Sequence, residues 1–237
     1  MTDAPVLRIT KVRKQYNALR PLRLNELVVA AGERVALSGL DAGAAEVLVN
    51  LVTGASVPDE GDVQVLGHST ASIANGDEWL ASLDRYGIVS PRAVLLDAAT
   101  VLQNLAMPLT LQIDPLPDDA AAAATALARE AGIDDEYLNR PIAGLPASVA
   151  HRAHLVRAVI LGPALLILEH PTATLNTGEG KAFGEAVARV AGARSLAAVM
   201  VSEDADFADA AASRRLALHA ASGDLKVQRR GFFRLLS

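Results

Sequence analysis

Three short apolar runs set the frame of this chain: ERVALSG (33–39), ALLILEH (164–170) and SLAAVMVSED (195–204). None alternates polar with apolar residues, so each reads as a strand covered on both faces, the habit of parallel strands in α/β proteins. Each run also ends in small or polar residues. In open parallel sheets the ligand site lies beyond the carboxyl ends of the strands, so the chemistry of this protein is expected around those three endings.

The segments VLRITKVRKQY and LRLNELVVAAGE, which precede or lead into the first run, read as short strands joined by a loop. EGDVQVLG (60–67) alternates in the same manner. Together they predict a small antiparallel β layer beside the parallel core. The middle of the chain differs: TVLQNLAMPLTL, DDAAAAATALAREAGI and ASVAHRAHLVRAVI have helical spacing and the Ala, Leu and Arg content that favours helix. The expected organisation is a single domain, with an α/β core from 1–90 and 159–237 and a helical subdomain inserted over 91–158.

Composition narrows the function. The chain has no cysteine, so neither a disulfide scaffold nor a thiolate zinc site is available. A net charge of −5 argues against nucleic acid as the main partner. The opening MTDAPVLRIT lacks the features of a secretory signal, and no apolar run approaches the ~20 residues that span a bilayer. The expected location is cytoplasmic, or peripheral on the inner face of the plasma membrane. Basic residues gather near the start and in the final RRGFFRLLS, where a Phe packing on its own domain is favoured over a membrane contact.

The order of elements resembles the nucleotide-binding domain of ATP-binding cassette (ABC) transporters, over about Leu7 to Leu225. LVTGASVPDEGDVQVLG (51–67), TVLQNLAMPL (100–109) and LLILEHPTATLN (165–176) carry the resemblance, in the family's order. From Leu145, first residue of a degenerate signature motif, to Glu169 is 24 residues, the family's interval. The resemblance implies a P-loop NTPase-like fold, ATP and Mg²⁺ as cofactors, a membrane-spanning transporter subunit as partner, contacted through 91–109, and a homodimer or heterodimer.

Position by position, however, the family's chemistry is altered. In SGLDAGAAEVLVN (38–50), Gly39 keeps the first glycine of the phosphate loop GxxxxGK[ST], while Ala44, Ala45 and Glu46 take the second glycine, the lysine and the hydroxyl that holds metal. Losing the lysine removes charge-assisted hydrogen bonds worth about 1.5–3 kcal/mol each. The nucleotide-binding positions carried over are Tyr16, at the place of the adenine-stacking aromatic, with Gly39, Gly43, Ala44, Ala45, Glu46 and Val47. Glu46 is expected to answer the helix N–H groups with its own carboxylate, stabilising an empty loop, excluding phosphate, or both.

Ser90 and Pro91 stand at the aromatic and Gln positions of the glutamine loop, and Pro91 is expected to form a rigid turn. Leu145, Pro146, Ala147, Ser148 and Val149 replace the signature LSGGQ. Glu169 stands for the metal-coordinating Asp, His170 for the catalytic Glu, and Glu203 for the switch His; an ion pair between His170 and Glu203 is favoured over catalysis. His151 and His154, three apart on a helix, read as a solvated face and not as metal ligands. No catalytic and no metal residue is assigned, and the altered positions put ATP and Mg²⁺ binding in question. The expectation is an ABC ATP-binding subunit homologue that has lost hydrolysis and serves as a structural or coupling subunit. The alternatives are a slow or partner-dependent ATPase and a soluble regulatory scaffold.

Overall fold

The computed structural model describes residues 4–228. Strands β1 (Leu7–Lys14) and β2 (Leu22–Val29) come first, then β3 (Arg34–Ser38), helix α1 (Ala42–Val52), β4 (Glu60–Val65), β5 (His68–Ser69), α2 (Gly76–Ser82) and β6 (Tyr86–Val89). Four helices follow without a strand between them: α3 (Val101–Ala106), α4 (Asp118–Ala131), α5 (Asp135–Leu138) and α6 (Ala147–Val159). The chain then alternates through β7 (Leu165–Glu169), α7 (Glu179–Ala193), β8 (Ala197–Val201) and α8 (Ala205–Ala211), and ends in β9 (Arg214–His219) and β10 (Asp224–Val227).

The three apolar runs are β3, β7 and β8, side by side and parallel in a six-stranded sheet of order β10-β9-β3-β8-β7-β6. A second sheet, β2-β1-β4-β5, is antiparallel throughout and forms the expected small layer. Every residue of β7 and β8 is buried, because successive side chains enter two different cores. Leu166, Leu168, Ala198 and Met200 pack with Phe183, Val187 and Phe207 of the helices. Leu165, Ile167, Val199 and Val201 pack with Leu48 and Leu51 of α1 and with the antiparallel layer. Each such leucine contributes about 1.5–3 kcal/mol.

In the six-stranded sheet, three strands go beyond the sequence reading. β6 adds parallel to β7, β9 adds parallel to the free side of β3, and β10 pairs back on β9. Gly87 is needed where β6 passes under α6, since a Cβ there would collide with the Ala158 carbonyl oxygen. Register decides what meets what. Leu37 pairs with Val201, Glu169 with Val201, and Val89 with Leu168, so Ser38, Ser202, His170 and Ser90 leave the sheet along one edge.

Candidate functional site

The loop after β3 is closed upon itself. Gly39 turns the chain at φ +84°, where a Cβ would lie 2.6 Å from the Leu218 carbonyl oxygen, so glycine is required by both conformation and space. Its N–H donates to Glu203 Oε1 at 2.6 Å. Asp41 is the N-cap of α1, and its Oδ1 accepts from the Ala44 N–H at 2.8 Å. Two loop amides therefore already serve carboxylates of the chain itself. Ala45, at the lysine position, is fully buried in the core behind the loop, with Ala44 also buried and Val47 packed against the same cluster.

Two expectations are corrected here. The carboxylate that caps the loop is Asp41 and not Glu46, because the N-cap residue precedes the helix and can fold back on its N–H groups, whereas Glu46 is the fifth helical residue, past the first turn whose N–H groups are free. Glu46 instead points away, half exposed, 3.5 Å from the Arg92 guanidinium. Glu203 does not pair with His170; it turns to Gly39, and His170 Nε2 is buried without a hydrogen-bond partner. His170 has φ +41°, an uncommon conformation for a non-glycine residue.

Arg92 was not singled out by sequence. Pro91 does form a turn, closed by the Ala93 N–H donating to the Ser90 carbonyl at 3.0 Å. That turn swings the next side chain back onto the sheet edge. Arg92 grips Glu169 bidentately, Nη1 to Oε1 at 2.9 Å and Nη2 to Oε2 at 2.7 Å, while Ser90 Oγ donates to Glu169 Oε2 at 3.0 Å. Glu169 is 2% exposed, so its charge is compensated by a fork geometry that only Arg provides. The signal in the sequence was a lone cation three residues beyond a strand end, opposite two acidic positions.

A cleft of about 290 Å³ lies beside this pair, lined by His151, His154, Glu169, His170, Ser90 and Pro91 among others. The two α6 histidines are therefore not a solvated face, a further correction. His151 Nδ1 lies 2.7 Å from the Ala147 carbonyl oxygen, Nε2 lies 3.1 Å from Thr174 Oγ1, and the ring meets Phe183 edge-on. Burial, then the nearby Arg157 and His151, push His154 down to about 4. Among the described residues no group of three or more His, Asp or Glu is arranged to hold a metal ion. Pro146 and Ala147 begin α6, with Pro146 as N-cap and Val149 buried.

Tyr16 lies over the loop: its Cε2 is 3.2 Å from where a Gly43 Cβ would be, and partial burial, then Asp41, raises its phenol above the usual value. It joins the core edge that contains Ala44 and Ala45.

On the other side of Arg92 the chain is tied at successive points. Arg157 Nη1 donates to the Val94 carbonyl at 2.7 Å. Asn104, fully buried, accepts from the Leu96 N–H and donates to the carbonyls of Leu96, Ala99 and Thr100. Between these anchors the side chains of Val94 and Leu96 stand 72% and 50% exposed. The RRGFFRLLS end lies outside the described residues.

Comparison with known proteins agrees with this architecture. The sequence model of the ABC transporter family matches residues 23–173. The lipoprotein-releasing system ATP-binding protein LolD of Alcanivorax borkumensis is 32% identical over 179 residues, 73% of this chain and 77% of that protein. The Fe(3+) ions import ATP-binding protein FbpC of Serratia marcescens is 30% identical over 94% of this chain and 65% of its own. Among solved structures, the dimeric post-hydrolysis state of the ATP-binding cassette MJ0796 bound to ADP and Pi superposes with a TM-score of 0.75 over 96% of this chain, at 19% identity. Family membership carries an implication of ATP and Mg²⁺ as cofactors. The chain belongs to the ABC transporter family, as a homologue of its ATP-binding subunits.

Proposed function

We propose that this protein is the cytoplasmic subunit of an ABC-type membrane transport complex, acting as a structural or coupling subunit that does not hydrolyse ATP. The observation that carries this reading is the state of the phosphate loop. The Gly39 and Ala44 amides donate to Glu203 and Asp41, and the lysine position is a buried alanine. Phosphoryl transfer depends on positioned cations and donors around the transferred group. Here four carboxylates, Asp41, Glu46, Glu169 and Glu203, lie at the loop and the neighbouring strand ends, and the Arg92 guanidinium is already engaged with two of them. A polyphosphate would meet net negative charge and amides already in use.

The division into an α/β core and a helical subdomain over 91–158 belongs to this reading, as does docking on a membrane-spanning partner through 91–109. Val94, Leu96 and Leu109 are exposed apolar side chains within that stretch, two of them on an anchored backbone. The protein is expected to act as a dimer, with itself or with a related subunit.

Calorimetry of the purified protein with Mg–ATP, paired with phosphate release in the assembled complex, tests the reading. No binding at millimolar nucleotide and no turnover dependent on His170 supports it. Micromolar binding, or turnover lost in His170→Ala, sinks it in favour of a slow ATPase. Purification without any integral membrane protein would favour the regulatory scaffold.

A further inference from the structure

We propose that the Arg92 guanidinium is a built-in cation standing where a divalent metal would bridge Glu46 and Glu169, and that it latches the apolar segment 94–96 to the sheet without nucleotide. This rests on the functional reading above, and it adds what sets the position of the docking segment.

The family relationship implies Mg²⁺, and the residues present do not fit it while Arg92 is in place. A magnesium site uses one or two carboxylates with waters and phosphate oxygens in octahedral array. Both oxygens of Glu169 already accept from Arg92, and Oε2 accepts a second bond from Ser90. The remaining carboxylate, Glu46, faces the same guanidinium at 3.5 Å. A dication entering between them would sit against a fixed positive charge and find no free oxygen on Glu169.

The same contact has a mechanical consequence. Arg92 lies two residues before Val94, and the Pro91 turn leaves little slack between them. The sheet holds the segment through Glu169, α6 holds it through Arg157, and α3 holds it through Asn104. In a cation site filled by a diffusing metal, the segment would be ordered only when the metal is bound. With the cation covalently part of the segment, order is permanent.

Hydrogen exchange of the full chain, with and without Mg–ATP, reads the latch. Glu169→Gln keeps the shape and the Ser90 contact while removing the charge. The amides of 92–97 are expected to exchange at one rate in the wild type whether or not Mg–ATP is present, and about tenfold faster in Glu169→Gln, with α1 and β8 unchanged. Equal rates in the two proteins, or a wild-type rate that shifts with Mg–ATP, overturn the latch. Mn²⁺ binding followed by electron paramagnetic resonance reads the cation position, which a merely structural arginine would not affect. Arg92→Gln is expected to gain one Mn²⁺ that the wild type does not bind, and Arg92→Gln/Glu169→Gln to lose it. No gain in Arg92→Gln, or equal binding by the wild type, overturns the assignment. Tight ATP binding by the wild type would count against the functional reading alone, since the Glu169→Gln comparison still decides the latch.

Discussion

The loop over 38–46 and the segment over 90–104 meet where Glu46 faces Arg92, yet they treat their polar groups in opposite ways. In the loop, amides that could face a ligand bond to Asp41 and Glu203, and the side chain at the lysine position is buried. In the segment, Asn104, Arg157 and Glu169 hold the backbone or its one cation from behind, and the apolar side chains of Val94 and Leu96 face outward. The first region has turned inward and the second presents itself. The contrast shows that one sheet edge can close a loop upon itself and still hold an apolar segment out to solvent, because the two draw on different bonds.

The sharpest way to break the comparison is at the segment's deepest anchor. Asn104→Leu leaves the Leu96 N–H without its buried acceptor and takes the side-chain donor from the Leu96, Ala99 and Thr100 carbonyls, each of which keeps a backbone donor, and is expected to lower stability by about 2–3 kcal/mol in denaturant unfolding. A loss below about 1 kcal/mol would mean that water replaces the amide and the segment is loosely held.

Acid should act next on the cleft beside the segment. His154 is held at about 4 in the folded protein against an ordinary 6.5, so the unfolded chain binds the proton more readily between those values. Its contribution is complete above pH 6.5 and is lost as pH falls toward 4. With the side chain partly solvated, about 1–2 kcal/mol is at stake. Melting curves of His154→Gln should depend less on pH across that window than those of the wild type; an unchanged slope would place the acid sensitivity elsewhere.

Two substitutions in the loop sharpen its half of the contrast. Asp41→Ala removes the N-cap of α1 and is expected to cost about 1 kcal/mol. Glu46→Gln is expected to stay within about 0.5 kcal/mol, because its ion pair is long and half exposed on both sides. The reverse order in thermal melts would return the capping role to Glu46.

Much of the fold was legible in the sequence, and the reasons are physical. Strands buried on both faces cannot alternate, so β3, β7 and β8 announced themselves as apolar runs. β9 did not, because RRLALH carries two arginines whose partners, Glu33 for Arg214 and Asp209 for Arg215, come from elsewhere. At the candidate site, the altered positions could be named one by one, but pairings could not. Glu203 had several carboxylate uses within reach, and only the path of the chain leaving β3 brings the Gly39 N–H to it. Arg92 was unremarkable as a letter after Pro91; the turn that aims it at Glu169 is a three-dimensional fact.

The sequence alone determined the α/β class, the antiparallel layer and the family resemblance, because apolar periodicity and motif order are local properties that survive without coordinates. It also determined that lysine is absent from the loop. Tertiary structure decided which carboxylate closes the loop, where the histidines go, and that an arginine stands between two acids. These are choices among charged and polar side chains with long reach, and they are settled by which strand ends the sheet register brings to one edge.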